Sequence, residues 1–263
     1  MLQSLRNIYN ARHFIRLRVK YEFIFSHSGT HLGWLWWLLE PILLLAVYTV
    51  LVTLLRPNVG GVTYVLGLAA ALIPWQWFTK TILRSGTSMV ASSGLIINVA
   101  FPKISIVIAD VLSNTVFAII GLLMVIVASS LINHHFPSQA ILFLPLICCV
   151  QLTLTVGVTL IYVTAYMWVR DLHNVAQFAL LLGWFVSPGL WTLDMIRDKP
   201  SYIHTLVWLN PFTTLLVSYR NVVAQNIPPP LIPLAILAMV SVIVLALAML
   251  VFGIQEPKFA KMI

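Results

Sequence analysis

The sequence predicts an all-α integral membrane protein that is embedded in the bilayer over most of its length. Hydrophobic residues make up 60% of its 263 residues and charged residues only 8%, against about 25% charged in an average soluble domain. The mean hydropathy is +0.98. A soluble protein must cover its surface with polar groups, and this chain has too few of them. Soluble enzymes, disordered chains and disulfide scaffolds are therefore excluded.

Six segments are long and apolar enough to cross a bilayer, which takes about 20 helical residues. In chain order they are Gly33–Leu55, Thr63–Leu83, Ile104–Ile132, Ala140–Val169, Val175–Leu193 and Leu231–Ile254. The second segment could continue past Arg84. The chain thus divides into an N-terminal segment (residues 1–31), a six-span domain (residues 32–254) and a tail (residues 255–263).

The distribution of basic residues predicts the orientation, because Lys and Arg collect on the cytoplasmic side of a membrane. The two tails and the loops on their side hold ten basic residues, and the loops of the other side hold four. Lys80 lies inside a span and is not counted. Both termini are therefore expected in the cytoplasm.

The first 31 residues are too polar to span the bilayer, but they can form a helix at its surface. Arg12, Arg16 and Lys20 recur every four residues, so they share one helix face. The opposite face is apolar and comprises Phe14, Leu17, Tyr21, Ile24 and Phe25. This pattern is typical of a helix in the membrane interface. Its basic face is expected to bind lipid headgroups or other phosphates, and anchoring to headgroups alone remains the alternative.

No catalytic motif accompanies the spans. The sequence lacks the phosphate-binding pattern G-x-x-x-x-G-K-[ST], and it also lacks H-E-x-x-H and G-x-S-x-G. The net charge of +8 is explained by cytoplasmic loops, so nucleic acid is not an expected partner. We expect no enzymatic activity, no metal site and no cofactor in this chain. Transport is the default function for such a chain.

Three ionisable residues lie within the predicted spans, where a charge at mid-bilayer costs about 3 kcal/mol. Glu40 and Asp110 are about two turns from the cytoplasmic ends of their spans, and Lys80 is about one turn from the end of its span. The first two spans are joined by a short loop and should pack antiparallel, so Glu40 and Lys80 are predicted to pair. The pair could fix helix packing or take part in transport.

Tryptophans are abundant at two places. Trp34, Trp36 and Trp37 lie where the first span meets the cytoplasmic interface, as an interfacial belt does. Trp75 and Phe78 are too deep for a belt and share one face of the second span. Packing in the protein interior is the simpler interpretation. A channel wall is the alternative, because the apolar faces of sugar rings can rest on aromatic rings.

Six short motifs occur in order along nearly the whole chain. The first comprises Leu32-Gly33, Trp36, Leu39 and Pro41, in the pattern L-G-x-x-W-x-x-L-x-P. The others are Ile73-Pro74-Trp75 with Phe78, Gly94-Leu95-Ile96 through Phe101-Pro102, Arg170-Asp171-Leu172 with Ser187-Pro188, Asn210-Pro211 with Tyr219-Arg220, and Glu256-Pro257-Lys258-Phe259-Ala260. In this order they resemble the motifs of the permease subunits of ABC exporters for polysaccharides, which export O-antigen, capsule and teichoic acid.

The resemblance implies roles for several residues. The N-terminal helix and the loop Ser92–Lys103 would contact a separate ATPase. The implied coupling residues are Leu95, Ile96, Asn98, Phe101, Pro102, Arg170 and Asp171. Residues 194–230 would form short re-entrant helices near the outer exit, where protein or water covers their backbone. The residues of this outer gate are Ser187, Pro188, Asn210, Pro211 and Arg220.

The resemblance also implies a mechanism. Two copies of the chain would form the pore in a bacterial inner membrane, and two ATPase copies would bind ATP and Mg²⁺ below it. The substrate would be a glycan on undecaprenyl pyrophosphate, whose pyrophosphate enters near Arg12, Arg16 and Lys20. The glycan would pass along a channel whose residues are Trp75, Phe78, Trp34 and Trp36. An ABC permease for a drug or small lipid, and a membrane-embedded transferase, remain alternatives.

Overall fold

The computed structural model describes residues 11–25, 31, 33–55, 61–98, 101–134 and 138–261. Within these ranges every regular element is helical, as the sequence predicts. The α-helices are α1 (Arg12–Phe25), α2 (Trp36–Leu55), α3 (Val62–Ala91), α4 (Ser93–Asn98), α5 (Ile104–Asn133), α6 (Leu144–Trp168), α7 (Leu172–Val186), α8 (Ser201–Leu209), α9 (Pro211–Arg220) and α10 (Leu231–Gln255). Shorter helical segments are Gly33–Leu35, Gln139–Phe143, Leu193–Ile196, Asn221–Gln225 and Glu256–Lys261.

Four helical segments of the described chain are long and apolar enough to cross a membrane. They are Val62–Ala91, Ile104–Asn133, Gln139–Trp168 and Leu231–Phe259, which correspond to the second, third, fourth and sixth predicted spans. Two shorter apolar stretches, Leu39–Leu54 and Leu172–Val186, correspond to the first and fifth. The third predicted span differs by one residue from its helix, which ends at Asn133.

The predicted fifth span, Val175–Leu193, is too long. Helix α7 ends at Val186, because Pro188 cannot donate a backbone hydrogen bond and disfavours helical geometry at Ser187. The helix therefore covers about 22 Å, less than the thickness of a bilayer core.

The predicted loop Arg84–Lys103 is also largely helical. Helix α3 continues through Arg84 to Ala91, and α4 follows after Ser92. This extension carries Arg84 and Ser88 on a rigid helix rather than in a loop. Residues 1–10 and 26–30 of the predicted interfacial segment lie outside the described residues, as do Leu32, Val99 and Ala100.

Helix α3 lies at the centre of the bundle. It contacts α5, α6 and α9, and it also contacts α2 and α7, while α10 packs against α6 and α1 against α5. Pro74 interrupts its backbone ladder at mid-length. The buried Gln151 of α6 donates a hydrogen bond of 2.8 Å to the Pro74 carbonyl, so a polar contact joins α6 to α3 beside the interruption.

The outer helices present large apolar side chains away from the bundle. Leu123 of α5, Phe178 of α7 and Ile243 of α10 are all exposed. Such a surface is unfavourable in water and matches a hydrocarbon environment. One end of the bundle, which we call the basic end, holds α1, α4 and the turn Glu256–Lys261. The opposite end holds the start of α3 and residues 187–225, which we call the hairpin segment.

Candidate functional site

Helix α1 is docked on the bundle by one apolar strip. Ile15 is buried, the Phe14 ring lies 5.4 Å from the Phe101 ring, and the Phe23 ring stacks at 4.2 Å on Phe117 of α5. These contacts fix the rotation of α1 about its axis, and so they decide which residues face the bundle.

A cluster of charged side chains lies beneath this docked helix. Arg18 Nη1 donates to Ser92 Oγ at 3.1 Å, and Arg18 Nη2 contacts Ser88 Oγ. The Nε atoms of Arg18 and Arg84 lie 3.7 Å and 3.9 Å from Asp110 Oδ1. Arg84 also pairs with Glu22 of α1. We call Arg18, Glu22, Arg84 and Asp110 the charge cluster.

Asp110 is the buried centre of the charge cluster, with only 3% of its surface exposed. The sequence identified Asp110 as an intramembrane charge but did not identify its partners. Arg18 and Glu22 lie outside every predicted span, which is why they were missed. Their separation of four residues places them on one face of α1, and this signal was available in the sequence.

The remaining surface of α1 forms two exposed strips. Arg12, Arg16 and Lys20 are exposed as one basic strip. The predicted apolar face, however, is divided: Leu17, Tyr21 and Ile24 are exposed beside the basic strip, while Phe14 packs on the bundle. The division follows from docking, because a helix that packs on protein must turn part of its apolar surface inward.

The predicted pair Glu40–Lys80 is present. Lys80 Nζ donates to Glu40 Oε2 at 2.6 Å, and both side chains are partly exposed. Helices α2 and α3 are in contact, as the short connection between them required. The pair therefore lies on the outside of the single chain.

The aromatic residues of α3 lie in the packed interior rather than on an open surface. Trp75 and Phe78 are only 7% and 3% exposed. The Trp75 ring lies 5.7 Å from Trp184 and 4.9 Å from Phe212, and Phe78 lies 4.5 Å from Phe212. This arrangement is the one expected if Trp75 and Phe78 serve to pack the protein interior. In the single chain, protein side chains therefore cover the Trp75 and Phe78 rings, and the channel-wall hypothesis stays a prediction.

Trp34 and Trp36, the other two predicted channel residues, are described only in part. Trp36 opens α2 and is exposed. The side chain of Trp34 lies outside the described residues.

The predicted coupling residues collect at the basic end but differ in exposure. Ile96 is buried, and Leu95, Phe101 and Pro102 are half-buried. The exposed members are Asn98, Arg170 and Asp171. The sequence missed Ile97, which is 59% exposed and is the apolar side chain that α4 presents outward.

The five predicted outer-gate residues lie together in the hairpin segment. Asn210 Nδ2 donates to Ser187 Oγ at 2.8 Å, and Asn210 Oδ1 accepts from the Phe212 N–H at 3.0 Å. The second bond caps α9, whose first residue is Pro211. Pro188 is buried and Pro211 is exposed.

Arg220 closes the hairpin segment from within. Its Nη2 donates to the Gly189 carbonyl at 2.8 Å and its Nη1 to the Trp191 carbonyl at 3.2 Å. The residue is 6% exposed. Its stem packs on α3 at Gly67, where an added Cβ would lie 3.2 Å from Arg220 atoms. The Asn210–Ser187 hydrogen bond therefore joins the two predicted breaks, and Arg220 holds the turn that follows the first break.

Three known proteins match the chain. It is 28% identical over 264 residues to the O-antigen export system permease protein RfbA of Myxococcus xanthus, with all of both chains covered. Two proteins of the same name from Klebsiella pneumoniae are 27% and 29% identical over 212 and 206 residues. These alignments cover 80% and 78% of this chain and 78% and 75% of theirs. No protein-family profile matches.

The matches agree with the resemblance that the motifs from Leu32-Gly33 to the tail Glu256–Ala260 indicated. They also agree with a chain whose described helices expose apolar surface. The chain is thus similar, along its whole length, to the permease proteins of O-antigen export systems.

Proposed function

We propose that this chain is the membrane subunit of an ATP-driven exporter that moves a lipid-linked polysaccharide across a bacterial inner membrane. The similarity to an O-antigen export permease over 100% of both chains carries the proposal. The apolar helices support it, because the exposed faces of α5 and α10 suit a lipid environment. The substrate that we propose is a glycan linked to undecaprenyl through a pyrophosphate headgroup.

The proposed topology has six membrane crossings and both termini in the cytoplasm. Four long helices supply four crossings. Helix α2 and the pair formed by α7 and the hairpin segment supply the other two, with the hairpin segment re-entering from the outer side. The excess of basic residues at the basic end supports this orientation.

The proposed assembly contains two copies of this chain and two copies of an ATPase that binds ATP and Mg²⁺. The glycan passes between the two copies of the chain. Trp36 and the Glu40–Lys80 pair lie on exposed surface of α2 and α3, so they are available to that path.

The decisive experiment is copurification of the chain with an ATPase encoded beside it. The complex should hydrolyse ATP, and an undecaprenyl pyrophosphate-linked glycan should raise the rate. The chain alone should hydrolyse none, because its sequence has no phosphate-binding motif. Hydrolysis by the isolated chain, or a complex that responds to small lipids but not to glycan, would contradict the proposal.

The ATPase contact is assigned to α4, and two substitutions test it. Ile97→Asp changes an apolar side chain that is exposed, as partner surfaces are, so it should release the ATPase and leave the chain folded. Phe101→Asp should instead destabilise the chain, because Phe101 packs against the Phe14 ring. Binding of the ATPase to the Ile97→Asp protein at wild-type affinity would exclude α4 as the contact.

The basic strip is assigned to the lipid pyrophosphate. Changing Arg12, Arg16 and Lys20 to Gln removes three cations, each contributing about 1 kcal/mol near an anionic surface. Export should fall while the docking contacts of Ile15 and Arg18 are kept. If export at normal protein levels is unimpaired, the strip serves only as a headgroup anchor.

The aromatic residues of α3 are assigned to stability. Trp75→Ala should cost about 3–5 kcal/mol, and the loss of export should follow the loss of folded protein in the same cells. A loss of export without a loss of folded protein would support the channel-wall hypothesis instead.

A further inference from the structure

The C-terminal turn Glu256–Lys261 is bonded to the segment that leads into α5. Glu256 Oε1 accepts a hydrogen bond of 2.6 Å from the Lys103 backbone N–H, and Lys103 Nζ donates to the Glu256 carbonyl at 3.2 Å. Lys103 is the residue before the first turn of α5, where backbone N–H groups lack partners within the helix. Glu256 thus supplies from a distant part of the chain the acceptor that a capping-box glutamate supplies locally.

The same turn is anchored in the protein interior. Phe259 is fully buried and meets Phe252 edge-on, with ring centroids 5.4 Å apart. It belongs to the apolar cluster that contains Ile96 of α4 and against which Phe101 packs. The turn therefore supports α4 from below as well as capping α5.

The turn also reaches the connection between α6 and α7. Lys258 Nζ lies 6.0 Å from the centroid of the Trp168 ring, within the range of a cation–π contact. Trp168 is 56% exposed and precedes the exposed residues Arg170 and Asp171. A 3₁₀ segment of six residues is about 12 Å long. The turn therefore contacts α4 and Trp168 from positions that lie close together.

Helix α4 and the connection between α6 and α7 are both too short to be stable without contacts to other parts of the chain. Helix α4 has six residues, far fewer than a helix needs to be stable without tertiary contacts. The connection from Val169 to Asp171 is shorter still. The turn Glu256–Lys261 contacts α4 and, through Lys258, the ring of Trp168, the last residue of α6 before this connection.

We propose that the C-terminal turn is a clasp that holds α4 and the Trp168–Asp171 connection as one platform for the ATPase. Glu256 is then a positioning residue for energy coupling: it touches neither ATP nor glycan but, through its bonds to Lys103, fixes the turn that contacts α4 and Trp168. This proposal rests on the proposed function above.

The test compares variants of the purified complex for two quantities, the amount of ATPase bound and the glycan exported per ATP hydrolysed. Glu256→Ala should lower export per ATP about tenfold, since a hydrogen bond to a charged acceptor is lost. Glu256→Gln should behave as wild type, because its amide oxygen still accepts from the Lys103 N–H. Lys261→Gln is the control, as Lys261 is an exposed residue of the same turn.

A purely structural role predicts a different pattern. In that case Glu256→Ala would reduce the amount of complex and leave export per ATP unchanged, which overturns the clasp. If Glu256→Ala does not accumulate in the membrane, Trp168→Leu decides, since its side chain is exposed. Lower export per ATP supports the clasp and unchanged export per ATP overturns it. Failure of the wild-type chain to bind any ATPase refutes the proposed function instead.

Discussion

Arginine side chains at the two ends of α3 find their partners in different ways. At the basic end, Arg18 and Arg84 share the carboxylate of Asp110, and Arg84 also pairs with Glu22. At the opposite end, Arg220 donates to the backbone carbonyls of the hairpin segment. The first site joins three separate helices, and the second joins one segment to itself.

The difference shows how each site responds to damage. Both arginines of the charge cluster are partly exposed, so water can hydrogen-bond to them when a protein partner is lost. Arg220 is buried, and the carbonyls it satisfies belong to irregular backbone at the end of α7. Irregular backbone at membrane depth requires internal partners. The carbonyl-based site should therefore be the more sensitive of the two.

The largest effect is expected for Arg220→Ala. The Gly189 and Trp191 carbonyls lose their donors and a cavity opens beside Gly67, which together should cost about 3 kcal/mol or more. Thermal unfolding of the detergent-solubilised protein measures the loss. Arg197→Ala, an exposed cation before α8, should leave the unfolding temperature unchanged. Equal effects of the two substitutions would show that the carbonyl contacts do not hold the hairpin segment.

A second disturbance of the hairpin segment is Gly189→Ala. An added Cβ at Gly189 would lie 2.3 Å from the ring of the buried Trp184, so the ring or the turn must move. Overpacking of this kind costs about 2 kcal/mol. The matched control is Gly94→Ala in α4, where an added Cβ meets nothing within 4 Å. An unchanged unfolding temperature for Gly189→Ala would show that the turn is loosely packed.

A smaller effect is expected for Asp110→Asn in the charge cluster. The substitution removes attraction across 3.7 and 3.9 Å, but it also removes the cost of burying a carboxylate. The net loss should be about 1 kcal/mol, because Arg18 and Arg84 keep Ser92 and Glu22 as partners. The same unfolding assay measures it, with the exposed Asp171→Asn as the control. A loss larger than that of Arg220→Ala would reverse the comparison.

The smallest effect is expected for the Glu40–Lys80 pair. Both side chains are partly exposed, and exposed ion pairs contribute about 1 kcal/mol or less. A double-mutant cycle of Glu40→Gln and Lys80→Met isolates the coupling between them. Coupling well above that limit would indicate that the pair lies in lipid or inside the assembled pore.

The sequence predicted the long helices well and the short ones poorly. The predicted span Ile104–Ile132 matches α5 to within one residue, because a long apolar run has one stable arrangement in a bilayer. The end of α7 was misplaced even though Pro188 was visible. Apolar residues continue to Leu193, and composition does not distinguish a spanning helix from a buried turn.

The sequence likewise predicted some site residues and not others. The sequence identified Glu40 with Lys80, since a charge inside an apolar run is costly and seeks a partner. It could not place Arg18 or Glu22 beneath α1, because the rotation of that helix depends on the contacts of Ile15 and Phe23. Nor could it decide whether Trp75 faces a channel or Phe212, since both arrangements use the same helix face.

The sequence by itself determined the class of the protein, the positions of its long helices and the motif order that resembles polysaccharide export permeases. These features depend on composition and spacing, which are local. Only the tertiary structure decided that Asp110 lies between two arginines, that Arg220 holds the hairpin segment, and that Glu256 caps α5. Each of these contacts joins residues far apart in the chain, and their geometry exists only once the helices have packed around α3.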